Sequence, residues 1–375
     1  MRGRVAGTYL LLAGCLAAIG LWRTTPGQVV SASSTISWNR QTAARYLDDR
    51  EVWWQEWPRA QKDRGTICIS CHTNVPYAMV RSGLRRQLGE SGMTAPEKTM
   101  MDSVEKRVAH WPEMETFYSD AKHGPGKTAE SRATEAVLNA IILASIDARQ
   151  GHLRPVTRTA FDEAWALQEE AGDKSGGWKW QNFHLGPWES EESGYQGAAL
   201  LMVEAVNAPD KYAKGPEVRP HLDRLREYLR RQYASQPLVN QLYILWASAK
   251  APGLLTATER TAVLKSVRSE QQEDGGWRTG SLDKRERVDH SPEPTESDGY
   301  ATGIAVLAME ESGTSRHDKT LQRGIEWLTA HQQKDGAWRA TSINKHRDPD
   351  SDAGPFMSDA ATAYAVLALT ESNRN

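Results

Sequence analysis

A chain of 375 residues with 46 Lys and Arg against 48 Asp and Glu carries a formal charge of −2, and the two signs interleave along its length. No basic stripe is left to collect phosphates, which excludes nucleic acid as a partner. The 39% hydrophobic content suits a globule with a sizeable core, in which 14 Trp against 4 Phe is an unusual balance.

Arg2 and Arg4 precede an uncharged, largely apolar run from Val5 to Trp22, and Val30-Ser31-Ala32 then offers a signal-peptidase site. Residues 1–35 are expected to be an export signal. The run also reaches the short end of a membrane span, so an uncleaved amino-terminal anchor is a second reading. Leu12-Ala13-Gly14-Cys15 matches a lipid-attachment box, which makes a third. The rest of the chain is expected in the periplasm, with membrane association through the amino terminus under the second and third readings.

The two cysteines outside that segment sit as Cys68-Ile69-Ser70-Cys71-His72, the attachment pattern of haem c. The spacing lets two thiols reach the two vinyl groups of one porphyrin while His72 turns its imidazole onto the iron. Covalent haem c held by Cys68 and Cys71, with His72 as the metal ligand, is the leading reading for residues 36–93. A disulfide between the two thiols, or a zinc site, are the plainer ones. Trp53, Trp54, Trp57, Val75, Pro76 and Tyr77 could wall an apolar cofactor. Met79, Met93, Met100, Met101, His110, Met114 and His123 are candidates for a sixth iron ligand, and an open position is equally allowed.

Thr94-Ala95-Pro96-Glu97 reads as a capping box with Pro in the first turn, so a helix is predicted from there to near Trp111-Pro112. Residues 36–93 are too few for a cytochrome with its own core, and the helix from Ala95 to His110 is expected to lend the haem a wall, with Trp111 and Met100 or His110 facing it. Residues 94–375 form the second part. Ala136 to Ile146 is apolar nearly all round, as expected of an inner-layer helix. Further helices are predicted over 158–171, 195–207, 220–233, 238–250, 257–272, 297–312, 318–333 and 358–372, which makes five hairpins with 96–148 as the first.

Gln271-Gln272-Glu273-Asp274-Gly275-Gly276-Trp277 returns as Gln332-Gln333-Lys334-Asp335-Gly336-Ala337-Trp338, and a looser copy runs from Gln168 to Trp178. Each places Gln in the last turn of a helix, Asp and Gly to stop it, and Trp over the junction. Ser297-Asp298 and Ser358-Asp359 precede near-identical apolar runs and can cap them. Repeated helical hairpins bury their apolar faces only by stacking on one another, so the fold expected is all-α, an α/α toroid of about five hairpins. The polar loops 173–193, 279–296 and 340–357 should gather on one face, where repeat proteins bind.

The stretch Arg323-Gly324-x-x-Trp327-Leu328-x3-Gln332-x3-Gly336-x-Trp338 resembles the Gln-Trp motif of the squalene-hopene cyclase family, and residues from about 128 to 372 resemble that family's carboxy-terminal repeats. The resemblance implies a toroid with a central apolar cavity. It also implies that Gln271 and Gln332 bind the start of the next helix and stack on Trp277 and Trp338. The whole arrangement is similar to exported bacterial cyclase-like proteins with an amino-terminal Cys-x-x-Cys-His segment. The cyclase acid motif Asp-x-Asp-Asp has only a partial counterpart in Asp350-Ser351-Asp352-Ala353. Two functions are carried forward. One is an exported haem c protein that transfers electrons to a redox partner protein or binds an apolar ligand beside its haem. The other is a terpenoid cyclase acting on an isoprenoid, with Asp298, Asp350, Asp352 or Asp359 as its acid.

Overall fold

The computed structural model describes residues 37–371, and the expected export segment of residues 1–35 lies outside them. Fourteen helices account for most of the described residues. Twelve of them alternate along the chain as outer and inner members of six successive helix pairs: α1 (Arg40–Glu56) with α2 (Asn74–Leu88), α3 (Ala95–Ala109) with α5 (Lys127–Gln150), and α6 (Pro155–Ala166) with α7 (Ser193–Asn207). The other three are α8 (Arg219–Gln232) with α9 (Leu238–Lys250), α10 (Ala257–Ser269) with α12 (Gly299–Glu311), and α13 (Lys319–Ala330) with α14 (Phe356–Glu371). Two single turns, α4 (Asp120–His123) and α11 (Thr279–Leu282), lie in connections. Each inner helix packs on the next, and α14 packs back on α2, so the ring is closed. No described helix is long and apolar enough to cross a membrane.

The division into layers follows from the side chains. In α12 every residue from Gly299 to Met309 is buried, because Gly, Ala and Thr let neighbouring inner helices approach on both sides. Outer α13 buries only Leu321, Gly324, Trp327 and Leu328, an i, i+3, i+6, i+7 stripe that faces the ring, and leaves its other faces to water. The five hairpins expected from residue 94 onward are all present, and α1 and α2, drawn from residues 36–93, supply a sixth. The capping box at Thr94 is formed, with Glu97 reaching back to the Thr94 N–H. Ser358-Asp359 is not a cap: α14 starts two residues earlier at Phe356, and the Asp359 side chain turns to Arg50 instead.

The three Gln-to-Trp turns share one geometry. Each Gln lies two residues past the end of its helix rather than in the last turn. Its Nε2 donates to the carbonyl of its own turn glycine and to a carbonyl at the start of the next outer helix: His221 for Gln168, Thr320 for Gln271 and Asn39 for Gln332. The indole N–H of Trp178, Trp277 and Trp338 donates at 2.7 Å to the carbonyls of Ala164, Val267 and Leu328 respectively, all in the last turn of the preceding outer helix. All three indoles are fully buried. The next outer helix after α13 is α1, so the last turn closes the ring with the same bonds that join its interior repeats.

Candidate functional site

The inner helices run in one direction, and at their amino-terminal ends lies a cavity of about 350 Å3. Cys68, Cys71 and His72 are on its wall, since they immediately precede α2. The segment that carries them is tied down on every side. Strands β1 (Gln61–Lys62) and β2 (Thr66–Ile67) pair antiparallel, the Cys68 N–H donates to the Ala60 carbonyl, and the Cys68 carbonyl accepts from the Trp54 indole at 2.7 Å. Ser70 Oγ accepts from the N–H groups of Thr73 and Asn74, while Asn74 Oδ1 accepts from Ser70 and Asn74 Nδ2 donates to both oxygens of Glu51 at 2.9 Å. A loop held this way loses little further entropy when it binds something.

His72 is enclosed by rings: Phe356 stacks on it with centroids 3.9 Å apart, and Trp54 and Trp188 stand at 5.1 and 5.5 Å. The Thr73 hydroxyl donates its single proton to Asp359 Oδ2 at 2.9 Å, so at 2.8 Å from His72 Nδ1 its oxygen must accept. That fixes the proton on Nδ1 and leaves Nε2 with a free lone pair, the tautomer a metal-binding imidazole needs. Burial, with help from Arg50 and Arg347, pushes the imidazole down to about 3, which keeps it neutral. Asp359 itself accepts from Arg50 at 2.7 and 3.1 Å and from Tyr46 at 3.0 Å.

Both thiols are free. Burial pushes the Cys68 thiol up to about 12 and raises Cys71 as well, so neither is an activated thiolate. Among the described residues there is no group of three or more His, Cys, Asp and Glu arranged to hold a metal ion. The donor set is therefore two neutral thiols and one imidazole nitrogen, presented to a single cavity with aromatic walls.

The wall differs from the one expected of the Ala95–His110 helix. Met100 is buried in the core and His110 is exposed, and neither lines the cavity. Phe117, Tyr118, Phe183, Trp188 and Phe356 do so in their place. None of Met79, Met93, Met100, Met101, His110, Met114 and His123 is on the wall, whereas Met357 and Glu189 are. Burial raises Glu189 to about 7 against the pull of Arg347 and Lys127. Two of the three loops expected at a binding face line the cavity, and Asn344 clasps them together through the Gly186 N–H and carbonyl at 2.8 and 2.6 Å. The third supports them from behind, Arg287 donating to the Ser342 carbonyl and Val288 to that of Asn344.

None of the four aspartates considered as a cyclase acid lines the cavity. Asp298 caps α12 by accepting from Tyr300 and Ala301. Asp350 and Asp352 are exposed, the latter accepting from the Trp57 indole, and Asp359 is ion-paired to Arg50.

Residues 235–374 match the family model of the squalene-hopene cyclase C-terminal domain. No curated protein matches the chain. Among solved structures, a polysaccharide lyase is 13% identical with a TM-score of 0.51 over 89% of this chain and 97% of its own. The GH76A α-1,6-mannanase of a Salegentibacter species is 11% identical with a TM-score of 0.51 over 88% and 99%. A protein from Actinoplanes is 16% identical with a TM-score of 0.50 over 89% and 100%. At such identities the likeness is one of fold: the chain is an α/α toroid with squalene cyclase-like carboxy-terminal repeats.

Proposed function

We propose that the chain is an exported c-type haem protein that carries its prosthetic group in the central cavity of the toroid. Cys68 and Cys71 would bind the porphyrin through thioether bonds and His72 would be an axial ligand through Nε2. The observation that carries this reading is that both thiols and an imidazole with a free Nε2 face one aromatic-walled cavity. Haem so held supplies one-electron transfer or binding of a ligand at the iron. The chain's own part would be to fix His72 through Thr73 and Asp359 and to exclude water with Phe356, Trp54 and Trp188, while Met357 and Glu189 on the same wall would be available as a further ligand. A redox partner protein or an apolar ligand entering between the loops is the expected counterpart.

Expression with a c-type haem maturation system should give a chromophore that survives denaturation and solvent extraction. A colourless product, or colour kept by the Cys68→Ser, Cys71→Ser double variant, overturns the proposal.

Glu189 favours a second reading, an isoprenoid cyclase whose acid is this carboxyl rather than any of the four aspartates, because burial keeps it partly protonated near neutral pH. Incubation with squalene or a linear isoprenoid diphosphate tests it. Product that disappears in Glu189→Gln would establish the cyclase, and absence of product rejects it.

A further inference from the structure

The cavity wall holds two cations without an acid partner. Arg347 is half-buried, and Arg59, itself exposed, rests over the Trp57 ring at 5.3 Å. Neither lies within ion-pair distance of a carboxylate among the described residues, whereas Arg50, Arg81, Arg107 and Arg154 are each paired with Asp or Glu. Gln181, only 4% exposed, also faces the cavity, and neither its amide nitrogen nor its oxygen has a partner. A buried amide left unbonded is costly, so its place on a cavity wall points to an occupant. The amino termini of the surrounding inner helices add fixed positive partial charge at the same mouth. Glu189 is the one acid among the lining residues.

We propose that Arg59 and Arg347 form the carboxylate-binding pole of the cavity, receiving the acid groups of an otherwise apolar occupant that also bonds to Gln181. The inference deepens the haem reading and rests on it for the source of the acid, since a haem bears two propionates on one edge. The same chemistry would suit a free apolar acid of the fatty-acid kind. Planar guanidinium groups take carboxylates through paired charge-assisted bonds, and the apolar wall strengthens them at half-buried Arg347.

The test uses the haem-free full-length chain and two acid–ester pairs: protoporphyrin IX with its dimethyl ester, followed by tryptophan quenching, and hexadecanoate with its methyl ester, followed by displacement of a fluorescent fatty acid. Metal-free porphyrin keeps ligation by His72 out of the measurement. One charge-assisted bond is worth about 1.5–3 kcal/mol, so an acid should bind at least about tenfold more tightly than its ester. Arg59→Gln and Arg347→Gln should each remove most of that preference, and Arg347→Lys should keep part of it. Equal binding of acid and ester by the unmodified chain in both pairs, no binding of any probe, or a preference that both Gln variants retain overturns the inference. Covalent haem attachment is scored separately. Attachment without acid preference rejects this inference alone. Preference for hexadecanoate in a chain that never attaches haem rejects the haem reading and leaves the carboxylate pole standing with a fatty acid as its source.

Discussion

Gln332 and Asn39, 293 positions apart in sequence, are bonded to each other twice: the Asn39 N–H donates to Gln332 Oε1 at 2.6 Å, and the Asn39 carbonyl accepts from Nε2 at 2.9 Å. Around this pair Trp38 meets Trp338 edge-on at 6.0 Å. The contact joins the last repeat to the first helix, and it is the only Gln-to-Trp turn that spans the seam of the ring. Gln332→Ala should lower unfolding free energy in urea by about 1–3 kcal/mol and raise amide exchange selectively in α1. Gln271→Ala should leave α1 exchange unchanged. Equal protection of α1 in both variants would mean that the seam is held by other contacts.

Gly336 sits at φ +96°, and a Cβ there would lie 2.1 Å from the Thr42 carbonyl oxygen. Gly151 has a similar φ of +75° with open space around it. The left-handed backbone alone costs a non-glycine residue about 1 kcal/mol, while the backbone clash must be relieved by moving α1 off the turn. Gly336→Ala should therefore destabilise by at least about 2 kcal/mol more than Gly151→Ala in thermal unfolding. Comparable midpoints for the two variants would refute the close approach.

The repeat turns were legible in the sequence because they combine a helix stop, a left-handed glycine and a Trp at fixed offsets, and five hairpins follow from them. The sixth was not, because α2 is an inner helix made with buried polar residues. Arg81 is buried in α2 because Asp48 and Glu90 meet it at 2.8 Å, pairings that no hydropathy pattern announces. Cys68, Cys71 and His72 were readable from spacing alone. Gln181, Glu189 and Phe356 were not, since they come from an irregular loop and from the first residue of α14, whose convergence depends on ring closure. One compositional signal was there: three of the chain's four phenylalanines, Phe117, Phe183 and Phe356, line the cavity.

Glu51 has no exposed surface and accepts hydrogen bonds from Asn74 and Gln55. Burial nevertheless raises it from 4.5 to about 7. The folded state then holds the proton more tightly than the unfolded chain does, so this group's contribution is fully present below about pH 4.5 and is lost as pH rises through 7. A rise of that size corresponds to roughly 3 kcal/mol. Between pH 4.5 and 7.5 the stability of Glu51→Gln relative to the parent should improve by about that amount, measured as urea midpoints. A constant difference across that range would show that Glu51 is ionised throughout.

Asp359 stands behind His72 through Thr73, and its charge is balanced by Arg50, whose side chain is 14% exposed against 2% for the carboxylate. Two substitutions separate its structural work from its effect on the imidazole. Arg50→Leu leaves a buried carboxylate without a counter-charge and should cost about 3–5 kcal/mol, part of which Arg50→Leu with Asp359→Leu should restore. Thr73→Val keeps the shape and the ion pair but removes the acceptor of the His72 Nδ1 proton, at a cost of about 1–2 kcal/mol. If the chain carries haem as proposed, losing that acceptor would make the imidazole a weaker electron donor, so the reduction potential should rise while covalent attachment is kept. A folded Thr73→Val chain with an unchanged potential would show that the link from Asp359 serves packing and does not tune the ligand.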